Sequence, residues 1–265
     1  MRRAWWLVLV AAAAGFAGGC AGRASRLEAR LGPADKTVRE SLRSMGWIGE
    51  EGEVRQVQAH AVLTTYDEAG GAHHAHVSMD IDLAGRSLRA HSQTPQGPWK
   101  AQVREGTAGS LKADFEMSLA RRERLLSALE TVRICVGGPA NFLFTDERVR
   151  QTERVEVQGK AWVRVAVQPN VRRTMAYYFD PHSHLLRLLT IGADRPAGEG
   201  LVARYEYMML DDGAAFPRRI TLTRTGRHVL VGSEAVVEVT FSQVRLDRAD
   251  PLPLVNLLQL RSDDA

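Results

Sequence analysis

The chain has 265 residues, with 35 basic against 31 acidic side chains and two cysteines. Without Arg2 and Arg3, residues 20–265 carry 33 basic and 31 acidic side chains, interleaved as in Arg148-Val149-Arg150-Gln151-Thr152-Glu153-Arg154. That excludes the basic stripe a nucleic-acid partner needs, and the length suits one large domain that buries its core without staples.

The first element is a leader. Arg2 and Arg3 precede Trp5-Trp6-Leu7-Val8-Leu9-Val10 and four alanines, the charged and short apolar regions of a secretory signal peptide. Gly15, Gly18 and Gly19 interrupt the run before it reaches the about 20 apolar residues of a membrane span. Ala17-Gly18-Gly19-Cys20 resembles a bacterial lipobox, although that pattern usually has Leu where Ala17 stands. The resemblance implies that residues 1–19 are a lipoprotein signal peptide and that Cys20 becomes the first mature residue, bearing diacylglycerol and an acyl chain. An ordinary signal peptide cut at a nearby small residue is the alternative. Ala21, rather than Asp, follows Cys20; by the sorting rule of enteric bacteria this implies the outer membrane, facing the periplasm. Residues 20–32 are small and charged and read as a lipidated tether to a single domain, residues 33–265. With Cys20 acylated, Cys135 in the apolar RICVGGP stretch has no disulfide partner and is expected to be buried.

Asp35 is placed to cap a helix through Val38, Leu42 and Met45. From Val57 the period becomes two, and Ala59, Ala61 and Leu63 share a face. After a turn at Asp67 to Gly71, Val77, Met79, Ile81 and Leu83 alternate with Ser78, Asp80 and Asp82, the signature of an antiparallel strand with one wet face. Leu88 and Ala90, then Trp99, Ala101 and Val103, continue a four-strand meander. Leu111 to Met117 predict a fifth strand, and Leu125, Leu129 and Val132 a second helix ending before Gly137-Gly138-Pro139. The second half repeats the strand pattern, with turns near Gly159, Asp180, Gly200, Asp212 and Gly226 and a last strand around Val236 to Leu246. The total predicts a mainly β (α+β) chain: a single curved antiparallel sheet of ten to eleven strands with two or three helices over one face. Phe216-Pro217 suits the start of an edge strand, where a missing N–H is tolerated.

Three stretches, YYFDPHSHLLRLL at 177–189, FPRRITLTRTG at 216–226 and VEVTFSQVRLD at 237–247, resemble the C-terminal half of the lipoprotein-localisation (LolA and LolB-like) fold. The resemblance extends coarsely over residues 54–250 and rests on strand and turn patterns. It implies an unclosed barrel whose concave apolar face, lidded by helices, holds acyl chains of lipids or lipoproteins. No functional residue is carried over by motif.

The chain contains no phosphate loop, nucleophile elbow or zinc-protease motif, so no enzymatic activity and no cofactor is expected. His60, His76 and His91 share the wet face by parity, but no fourth ligand is fixed by the pattern, and a solvated polar face is favoured over a metal site. By alternation, the acyl-facing surface consists of Leu63, Val77, Met79, Ile81, Leu83, Trp99, Val103, Phe115, Val163 and Val165. The reading is therefore a membrane-anchored envelope lipoprotein binding lipid or lipoprotein acyl chains; the alternative is a non-catalytic scaffold for protein partners. Mass spectrometry of the processed N-terminus is expected to find lipid-modified Cys20 as the first residue, and an unmodified amine there would contradict the assignment.

Overall fold

The computed structural model of the chain describes residues 33–49, 52–67, 69–142, 148–157, 159–168, 174–192, 200–225 and 232–249. The leader, Cys20 and the tether lie outside them. Helix α1 spans Pro33–Ser44 and opens two residues before Asp35, with proline in its first turn, where a missing N–H costs nothing. The strands that follow are β1 (Ile48–Gly49), β2 (Gly52–Tyr66), β3 (Ala72–Asp82), β4 (Ser87–Thr94), β5 (Gly97–Arg104) and β6 (Ser110–Ala113). Helix α2 (Leu119–Gly137) and a 3-10 turn (Gly138–Phe142) lead to β7 (Arg148–Val157), β8 (Lys160–Gln168), β9 (Met175–Phe179) and β10 (Leu186–Ile191). The chain then completes β11 (Leu201–Met209), β12 (Ala215–Thr225) and β13 (Gly232–Ala249).

All thirteen strands form one antiparallel sheet in the order β6-β5-β4-β3-β2-β13-β12-β11-β10-β9-β8-β7, with β1 added to β2. The ends, β6 and β7, do not pair, so the barrel is unclosed. Two departures from a simple meander define the architecture. The last strand returns to the first long one, β13 lying against β2 from Val237↔Thr65 to Ala249↔Glu53. And α2 carries the chain from one sheet edge to the other, packing over β2, β4, β5 and β6 on the way. Side-chain alternation then gives the sheet an inner face, roofed by the helices and holding the main core, and an outer face that is polar over β2–β6.

The strand count exceeds the ten to eleven expected, for a physical reason. A two-residue strand such as β1 carries no alternation. In β9 all five residues are buried, and in β10 all but Arg187, because a second apolar cluster of Ala176, Tyr178, Leu188 and Val202 covers their outer side. The expected fifth strand ends sooner than its pattern: β6 stops at Ala113, and Phe115 and Met117 belong to the connection into α2. The edge reading of Pro217 is corrected too, since β12 lies between β11 and β13. Pairing with β13 starts only at Arg219, however, and β12 is bulged at Arg218, between the pairs Arg219↔Glu206 and Pro217↔Tyr207, so proline occupies a stretch with a strand on one side alone.

Helix boundaries follow local chemistry. The Ser118 hydroxyl accepts from the Arg121 amide (3.4 Å) at the start of α2. Its end turns at Gly138 (φ +41°), with Asn141 donating to the Ile134 carbonyl (3.0 Å). The α1–β1 corner is held by Trp47, which is fully buried, stacks on Phe216 (6.0 Å) and donates from Nε1 to the Ala215 carbonyl (3.0 Å). Phe216 meets Phe241 edge to face at 5.1 Å, so one aromatic line ties α1 to β12 and β13. Arg248 reinforces it by donating to the Gly46 carbonyl (2.7 Å). Trp47→Ala should lower unfolding free energy by about 3–5 kcal/mol, read from urea denaturation; a loss under about 0.5 kcal/mol, the range of surface substitutions, would show that the corner is not an anchor.

Candidate functional site

The ten residues assigned to the inner face all lie in or against one core cluster. Leu63, Val77, Met79, Ile81, Leu83, Trp99, Val103 and Val165 are buried, while Phe115 and Val163 are half-buried. Cross-strand registers explain the grouping: Ala61 stands opposite Val77, Ala59 opposite Met79, Met79 opposite Ala90, Ile81 opposite Leu88 and Val165 opposite Tyr177. Within this surface the residues divide by what covers them.

Over the middle lies α2, held unequally along its length. Every fully buried residue of the helix, from Ala128 to Gly137, falls in its second half. There Arg133, 5% exposed, makes two 2.8 Å hydrogen bonds to Glu130 and approaches Glu105 (3.9 Å), which itself accepts from Arg86 (2.9 Å). The first half carries Arg121, Arg122 and Arg124, cations at the helix end where the macrodipole disfavours them, and Leu119 is 69% exposed. Arg121 is tied down only laterally, donating to Gln96 (3.1 Å) and lying over the Phe115 ring (5.8 Å).

This half-held helix leaves an opening on each flank. Toward β2–β5 a crevice of about 280 Å³ is lined by Leu63, Thr65, Ala75, Trp99, Met117 and Leu125, with His73, His74 and Arg121 at its polar side. Toward β11–β13 a hollow of about 1080 Å³ is bordered by Ser127, Ala128, Thr131, Leu201, Val236 and Val237, with Arg224, Glu234 and Asp67 among its polar groups. Arg124 borders both. Of the sequence candidates only Leu63 and Trp99 line the crevice. Met117 and Leu125, which also line it, were legible as apolar but not as lining, because their position depends on where β6 stops.

The histidines fall where parity puts them. Ser78 is opposite both His60 and His91, and its hydroxyl lies 2.9 Å from His60 Nδ1; His76 is opposite Val62. Among the described residues no three His, Cys, Asp or Glu side chains gather as a metal site. The Cys135 thiol is buried and pushed up to about 12, because desolvation penalises the thiolate more than its contact with Tyr205 favours it. Protonated at neutral pH, it is a core residue and not a nucleophile. The Tyr205 hydroxyl, also raised by burial, donates to the Cys135 carbonyl (3.0 Å) and so links β11 to the anchored half of α2.

No protein-family model matches the chain, and no curated protein matches its sequence. Solved structures do. A LolA superfamily protein from Nitrosomonas europaea superposes with a TM-score of 0.50 at 10% identity, over 84% of this chain and 96% of that one. A domain from Vibrio parahaemolyticus assigned to outer membrane lipoprotein sorting gives a TM-score of 0.48 at 10% identity, over 86% and 98% of the respective chains. With the thirteen-stranded unclosed sheet and the helices over its inner face, the match to the first of these shows that this chain has the LolA-like fold.

Proposed function

We propose that the protein is a cell-envelope carrier or receptor that captures acyl chains of lipids or lipoproteins between α2 and the inner face of the sheet, by binding and without catalysis. The observation that carries this reading is the roof: α2 crosses an apolar sheet that is not closed, leaves an opening on either flank, and has its fully buried residues in its second half only. Lifting the first half would join the crevice to the apolar surface beneath. The two volumes, 280 and 1080 Å³, bracket the range of about 300–1,000 Å³ usual for small-ligand sites. Burial of ten methylenes contributes about 8 kcal/mol before association and ordering costs, enough for micromolar capture with easy release. The LolA-like fold supports the same reading.

Anchoring belongs to this proposal. Lipid at Cys20 would hold the domain at the outer membrane, on its periplasmic side, since each buried CH₂ adds about 0.8 kcal/mol. A non-catalytic scaffold is the competing reading, favoured by one observation: eight of the ten inner-face candidates are already buried by the protein's own side chains.

The test uses the full chain with Cys20→Ser, titrated with saturated fatty acids and lipopeptides under native mass spectrometry. Met117→Glu and Leu125→Glu alter half-buried positions, which spares the core, and each should weaken binding at least tenfold, about 1.4 kcal/mol, with an unchanged melting temperature. Absence of acyl binding by the parent chain, or equal binding by both variants, would favour the scaffold.

A further inference from the structure

The outer face of the sheet carries a second feature, independent of the roofed interior. Two rungs of side chains run straight across neighbouring strands. One passes from Gln243 through His60, Ser78, His91 and Lys100 to Lys112, and the other from Arg245 through Gln58, Asp80, Arg89 and Gln102 to Ser110. Together they line a trough of about 1050 Å³, about 24 Å across at the usual strand spacing.

Charge is unevenly distributed along it. The outward positions of β4, β5 and β6 carry Arg89, Lys100, Arg104 and Lys112, with His91 among them, and no carboxylate. Asp80 stands opposite Arg89, and Asp114 lies two residues past Lys112 in sequence. Arg245 is engaged by Asp247 (3.1 Å) at the far end. Lys100 and Lys112 are direct cross-strand partners, both exposed, and among the described residues neither has an ion-pair partner. Like charges placed opposite each other destabilise a sheet, and an anion seated between them removes that cost.

We propose that this trough is a docking surface for anionic phospholipid headgroups, with one headgroup phosphate held between Lys100 and Lys112 and Arg89 meeting its neighbour. The composition favours lipid over an acidic protein segment. Protein interfaces are anchored by exposed aromatic or large apolar side chains at their centre, whereas the exposed lining here is polar or charged and the apolar residues at its floor, such as Met79 and Ala90, are buried toward the other face. The trough would orient the domain with β4–β6 toward the bilayer, which is a role separate from acyl capture under α2.

Flotation of the full chain carrying Cys20→Ser with phosphatidylcholine vesicles, with and without phosphatidylglycerol, measures the preference for anionic lipid, since any affinity of the leader for the bilayer is common to both. The parent chain should prefer the anionic vesicles, increasingly so at low salt. Lys100→Gln with Lys112→Gln should reduce that preference about 30-fold, the combined contribution of two lysines at an anionic surface. The charge-matched double variant Lys36→Gln with Lys160→Gln should retain it, and both variants should melt as the parent does. No preference in the parent, an equal loss in the two double variants, or binding to polyglutamate in place of vesicles would overturn the proposal.

Discussion

The pairing of β2 with β13 is the constraint on which the rest depends. Without it the chain is two meanders, β2–β6 and β7–β13, each with an inner face that its own length of helix cannot cover. With it, strands nearly 200 residues apart share twelve register positions, and the meanders become one sheet wide enough to curve around α1 and α2. Loop closure makes such a pairing entropically expensive, and the structure compensates along its whole length: Val239 against Leu63 and Phe241 against Ala61 bury apolar side chains inward, while Phe216 and Trp47 extend the same contact to α1. Because β6 and β7 are left as the two edges, the chain between them must cross the inner face, and α2 lies where it does as a consequence.

Much of this was legible in the sequence wherever one face of a strand is wet. The alternation of Val77, Met79 and Ile81 with Ser78, Asp80 and Asp82 survives intact, and the register that puts Ser78 between His60 and His91 follows from hairpin turns such as the one Asp67 builds by accepting from the Ala69 and Gly71 amides. Legibility fails where both faces are dry, as in the fully buried Met175–Phe179, and where an element is too short to have a period, as in β1. Nothing local encodes the return of β13 to β2. The position of α2 was therefore out of reach too, and with it the distinction between inner-face residues that are simply core, such as Ile81, and those that border an opening, such as Leu63 and Trp99.

The two faces differ in chemistry. Inside, apolar side chains lie beneath a helix whose fully buried residues fall in its second half, where Arg133 approaches Glu105, and the one described thiol is buried and protonated. Outside, charge and hydrogen-bonding groups are arranged in straight rungs because antiparallel pairing across six strands leaves them no alternative. The same backbone register thus produces an apolar interior and a polar trough back to back.

Acyl capture as proposed requires chains to enter beside the less buried first half of α2. Photo-crosslinking with a fatty acid carrying a diazirine near its methyl end, followed by peptide mapping, tests this most directly. Adducts concentrated on Leu63, Trp99, Met117 and Leu125 are the predicted result, whereas adducts confined to the outer face, or no adduct above that given by an unfolded control, would contradict it.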